Sequence, residues 1–137
     1  MAVLTTDDDI ASLLRRSRTI AVVGLSASPH RDSHRVALYL QQQGYVIIPV
    51  NPSVREVLGQ PAFPDLESIG YSVDIVDVFR RSEYVPGIAA AAVRSGARAL
   101  WMQFNTVSIE AAALASGAGL EVVADRCIMV EHRRLAA

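Results

Sequence analysis

The residues of this chain best suited to chemistry are hydroxyls, amides and arginines that follow short apolar runs. They are Gly24-Leu25-Ser26 with Arg31 and Ser33, then Asn51-Pro52, then Val78-Phe79-Arg80, and then Gln103. Gly24 permits a sharp backbone turn, and Ser26, Ser28 and Ser33 place hydroxyls beside a helix start whose free N–H groups favour an anion. The guanidinium groups of Arg31 and Arg80 can grip phosphate through paired hydrogen bonds. The chemistry indicated is the binding of a phosphorylated ligand. A glycine followed by serines and a helix start also describes an ordinary strand-to-helix loop, so the turn read alone leaves both meanings open.

Other chemistries are disfavoured. All 13 cationic side chains are arginine, and a chain without lysine offers neither a Schiff base nor the lysine of a phosphate-binding P-loop. A dinucleotide enzyme of the NAD type carries G-x-G-x-x-G after its first strand and an acid after its second. Here there is one glycine in the first loop, and Asn51-Pro52 stands where the acid would be. His30, His34 and His132 lack metal-ligand spacing and read as surface or loop residues, so no metal site is expected. Cys127 follows Arg126, which could activate its thiol, but a lone cysteine is more often a packing residue. Asp74 and Asp77 lie at odd spacing and point to opposite faces of a strand, which rules them out as an acid–base pair. No residue is assigned a catalytic role.

These residues need a scaffold, and the pattern of the chain supplies one. With 51% hydrophobic and 20% charged residues, the chain reads as one globular domain spanning residues 1–137, with an N-terminal helix over 6–17 and a core over 19–131. The uniformly apolar run at 19–23 suits a strand buried on both faces of a parallel sheet, further strands are expected at 45–48, 73–78, 99–102 and 120–123, and the second of these five runs is expected to break at Pro49. Between them, helices are expected after caps at Ser33 and Ser108 and along the apolar face of 85–93, with a short helix near 66–69 and only a tail after the last strand. The expected architecture is an α/β three-layer sandwich (α/β/α) around a mainly parallel five-stranded sheet, with ligands beyond the carboxyl ends of the strands. A net charge of −1 gives no field for nucleic acid, no run is long enough for a membrane helix, and the absence of a signal-like start points to the cytoplasm. A second copy of the chain, or an unidentified protein, is left open as a partner.

Four blocks in order carry a family resemblance: Val23-Gly24-Leu25-Ser26, the run from Gly44 through Asn51-Pro52, Asp74-Ile75-Val76-Asp77-Val78-Phe79-Arg80, and Asp125-Arg126-Cys127. Over residues 19–131 the chain resembles the stand-alone CoA-binding proteins related to the N-terminal domain of the succinyl-CoA synthetase alpha subunit. The resemblance implies a Rossmann-like, nucleotide-binding fold that holds coenzyme A or an acyl-CoA across the strand ends. Arg31 and Ser33 match the polar positions of the first loop, Asn51 and Pro52 the second-strand loop, and Val78, Phe79 and Arg80 the third. After Gln103, where the family has a glycine and then an asparagine–glutamate pair, this chain reads Phe104-Asn105-Thr106-Val107-Ser108-Ile109-Glu110, which alters the surroundings of the fourth strand. The expected function is CoA binding without catalysis. The alternatives are a subunit that acts on a CoA thioester with a partner chain, and a nucleotide- or protein-binding relative that has lost CoA.

Overall fold

The computed structural model describes residues 3–137. Helix α1 (Asp7–Arg16) begins where the Thr6 hydroxyl accepts the Asp9 amide. Its three aspartates and two arginines complement the helix dipole at opposite ends, and it buries Ile10, Leu13 and Leu14. The chain then alternates: β1 (Thr19–Val23), α2 (Asp32–Gln42), β2 (Val46–Val50), a small hairpin of β3 (Glu56–Val57) and β4 (Gln60–Pro61), β5 (Ile75–Val78), α3 (Val85–Arg94), β6 (Ala99–Met102), α4 (Ile109–Gly117), β7 (Glu121–Ala124) and α5 (Ile128–Leu135).

The main sheet is five-stranded in the order β2-β1-β5-β6-β7, and every pairing is parallel. Ile20, Val22, Ile75, Trp101 and Val123 face Leu13, Leu40 and Ile128, which places α1, α2 and α5 on one side. Ala21, Val76, Leu100 and Val122 face Ala89, Ala92 and Ala111 of α3 and α4 on the other. Helices therefore cover both faces of a Rossmann-like α/β sheet, as its largely apolar strands required. The order reverses between β1 and β5, so the crevice of such a sheet lies beyond the carboxyl ends of these two strands.

Three expectations need correction. Strand β2 does not break at Pro49 but runs to Val50. It lies at the sheet edge, where the Pro49 carbonyl faces outward to accept the Phe63 amide, so the missing N–H costs no ladder bond. The residues after β7 form α5 rather than a tail. Its first amide, at Ile128, donates to the buried Gln103 side chain, a cap from β6 that no local pattern announces. His132, expected at the surface, is buried on that helix, where its Nδ1 lies 2.7 Å from the Tyr39 hydroxyl and burial lowers its pKa. The excursion after β2 also contains the β3–β4 hairpin, whose Leu58 and Gly59 both take positive φ, as a two-residue type I′ turn demands.

Asp77 is the one polar side chain in the middle of the sheet. Paired laterally with Val22 and Trp101, it is fully buried, and neither carboxyl oxygen has a hydrogen-bond partner among the described residues. Burial alone raises its pKa well above the usual carboxylate range, so the folded chain holds a proton that the unfolded chain releases near pH 4. Stability from this group is greatest below the unfolded pKa and declines as pH rises toward the folded one. Asp77→Asn is therefore expected to flatten the decline in unfolding free energy above pH 4. Urea titrations of both forms between pH 4 and 8 check this, and parallel curves would contradict it.

Candidate ligand-binding site

The turn after β1 is the tightest point of the carboxyl-end crevice. Gly24 has φ +89°, and its amide donates to the Val50 carbonyl of β2. A β-carbon built on Gly24 would stand 2.6 Å from the Phe79 carbonyl oxygen and 3.1 Å from Cδ of Arg80. Glycine is thus demanded twice, by backbone conformation and by the approach of the chain leaving β5.

Beyond this turn the polar residues brace one another. The Ser33 hydroxyl accepts the Ser26 amide at 3.0 Å, and the Ser26 hydroxyl accepts the Ser28 amide at 3.0 Å. Ser33 therefore serves the loop and does not cap α2, as its position had suggested. The N-cap is Arg31, whose side chain makes no capping bond. Asn51 donates from its amide nitrogen to the Leu25 carbonyl and accepts the Ser53 amide, tying the loops after β1 and β2 together. At the start of α2 the His34 amide donates to the Arg31 carbonyl, while the amides of Asp32 and Ser33 have no hydrogen-bond partner among the described residues.

Two cavities meet at Gly24 and Asn51. The first, about 530 Å3, is lined by Ser26, His30, Arg31, Asp32, Ser33 and Phe79 and lies at the start of α2. It is a polar shelf beside a helix N-terminus, suited to phosphate. Its one carboxylate, Asp32, is paired with Arg35. The second, about 600 Å3, lies on the α3 side. Val23, Val50, Leu66, Ile88 and Ala91 give it apolar walls, Pro52 and Pro64 narrow it, and Arg80, Tyr84, Arg94, Asp65 and Glu67 stand around it. Its acids are engaged: Asp65 accepts from the Ser68 amide and hydroxyl, which lower its pKa, and Glu67 pairs with Arg94.

Of the residues proposed from sequence, Gly24, Ser26, Arg31, Ser33, Asn51, Pro52, Phe79 and Arg80 line these cavities. Leu25, Val78 and Gln103 do not: the first two are buried core, and Gln103 caps α5 from within. Cys127 is also buried, and Arg126 turns to Glu131 and the Thr5 carbonyl. Sequence reasoning missed Tyr84, Ile88, Leu66 and the Glu67–Arg94 pair, which reach the site through the packing of α3 against the excursion after β2. Only Tyr84 left a local trace, four residues after Arg80 at the start of a helix.

A family model described as a CoA binding domain matches residues 18–133. The Bacillus subtilis protein YneT is 45% identical over 124 residues, covering 90% of this chain and 92% of YneT. A solved structure of a hypothetical protein from Pyrococcus horikoshii OT3 superposes with a TM-score of 0.94 at 41% identity, covering 97% of this chain and 94% of that one. The same fold recurs at 22% identity and TM-score 0.72 in a dinucleotide-forming acetyl-coenzyme A synthetase of Candidatus Korarchaeum cryptofilum, matching 82% of this chain and 27% of that one.

Gly24→Ala is expected to destabilise the fold by about 2–4 kcal/mol, the sum of a left-handed alanine and a clash with the Phe79 carbonyl. Gly44→Ala, at φ +101° with open space around the added carbon, is expected to cost only the backbone part, about 1–2 kcal/mol. Denaturant unfolding of the two variants checks the difference, and equal losses would remove the close approach as a constraint.

Proposed function

The chain belongs to the CoA-binding domain family, and on that footing we propose that it binds coenzyme A or an acyl-CoA beyond the carboxyl ends of β1, β2 and β5. The observation that carries this reading is the junction of a polar shelf and a larger apolar-walled cavity at Gly24 and Asn51. A nucleotide ligand needs both environments within a few ångströms: donors for its phosphates and a dry slot for its ring. The shelf offers the α2 amides, the Ser26 hydroxyl and Arg31. The slot offers Val50, Leu66 and Ile88, with Arg80 at its edge. Asn51 occupies the position where an NAD enzyme would carry an acid for the ribose diol, and its side chain is already committed to Leu25 and Ser53.

The role that follows is to hold, sense or present CoA in the cytoplasm, with any chemistry at the thiol supplied by another protein. Thr106 is buried with its hydroxyl on the Gln103 carbonyl, so the altered loop after β6 is an ordered turn, and Phe104 projects from it 55% exposed. The part of the ligand that reaches β6 would meet this surface.

Thermal unfolding with CoA, acetyl-CoA, NAD and ATP tests the assignment. CoA at 100 times its dissociation constant is expected to add about 2.7 kcal/mol of stability. A shift with NAD and none with CoA would overturn the reading. Arg80→Ala is expected to weaken CoA binding by about 1.5–3 kcal/mol, the worth of a hydrogen bond to a charged group, measured by titration calorimetry.

A further inference from the structure

Arg80 differs from Arg94 and Arg35 in how it is held. Arg94 pairs with Glu67 and Arg35 with Asp32, whereas no salt bridge among the described residues includes Arg80. Its guanidinium carbon instead lies over the Tyr84 ring, 4.3 Å from the centroid, a cation–π contact. Both side chains line the larger cavity, and the absent β-carbon of Gly24 leaves room for the arginine stem across the turn. Tyr84 stands at the junction of the 3-10 turn Ser82–Tyr84 and α3, so its backbone is fixed by the helix that forms the cavity wall.

We propose that Tyr84 is the positioning residue for Arg80: its ring holds the guanidinium flat at the cavity edge so that its donors stay free for a ligand oxyanion. This inference rests on the CoA reading above. An acidic partner would hold the arginine equally well but would occupy its donors and cancel its charge. An aromatic face does neither, since it contacts the flat side of the guanidinium and leaves the in-plane N–H groups unspent. Preorganising a long side chain in this way reduces the ordering that a ligand must impose on it. Tyr84 itself need not touch the ligand.

Titration of the full chain with CoA at fixed ionic strength tests the role. Tyr84→Ala and Tyr84→Leu are expected to weaken CoA roughly 3- to 10-fold, the range of a partly exposed cation–π contact, while Tyr84→Phe stays within about twofold of the wild type. The leucine variant keeps apolar bulk without a π face, and so separates ring electrostatics from packing. In an Arg80→Ala background, Tyr84→Leu is expected to cause no further loss. Wild-type affinity in the leucine variant, or losses that add fully in the double variant, would overturn the proposal while CoA binding by the wild type stands. A wild type that binds no CoA would instead remove the ligand assignment, and this role for Tyr84 with it.

Discussion

The contact on which the ligand edge depends is the approach of Gly24 to the backbone leaving β5. At φ +89°, with the Phe79 carbonyl 2.6 Å from where a β-carbon would be, the turn after β1 lies directly against the next strand of the sheet. This brings the starts of two loops together at the point where strand order reverses, and the crevice forms there because neighbouring connections leave on opposite faces. Gly24 also donates to Val50, so β2 is held in the same arrangement. The carboxyl ends of three strands are locked around one residue without a side chain, and both cavities open at it.

With the backbone so placed, the polar side chains divide into those that build and those that remain free. Ser33, Asn51 and Gln103 look alike in sequence, as polar residues near strand ends, yet each is bonded within the scaffold: to the Ser26 amide, the Leu25 carbonyl and the Ile128 amide. Ser33 and Asn51 are spent on the loops that form the shelf, and Gln103 on the start of α5. What remains uncommitted among the described residues is the Asp32 and Ser33 amides at the start of α2 and two guanidinium groups, Arg31 and Arg80, groups of a kind well matched to phosphate oxygens.

The strands and most of the helices were legible because buried parallel strands are largely apolar, and glycine punctuates the turns between them. The first loop and the Phe79-Arg80 segment were legible for the same reason, since a site at strand ends is found once the ends are found. What sequence did not disclose depends on partners distant along the chain. Helix α5 is begun by Gln103 from β6, Pro49 is tolerated because β2 is an edge, and the wall of Leu66 and Glu67 is set against α3 by the Glu67–Arg94 pair. His132 is buried because Tyr39 and Tyr45 enclose its ring edge-on at 5.5 and 5.6 Å, from a helix and a strand start more than 80 residues away.

The distribution of charge bears on the same division. Behind the sheet, Arg134 bridges Asp7 and Glu131, and Arg126 meets Glu131 again, so acids and arginines pin α1 to α5. Arg16 and Glu121 join α1 to β7. These pairs are largely at the surface, where single ion pairs contribute little, but as a network they set the register of the outer helices. At the carboxyl-end crevice the pattern is mixed: Arg94 and Arg35 are paired with Glu67 and Asp32, whereas Arg80 leans on an aromatic ring and no salt bridge among the described residues includes Arg31. A chain whose every cationic side chain of the Lys/Arg kind is an arginine thus uses that one side chain in two ways, paired with carboxylates where α1 is tied to α5 and β7, and laid over an aromatic ring at Arg80 beside the carboxyl-end crevice.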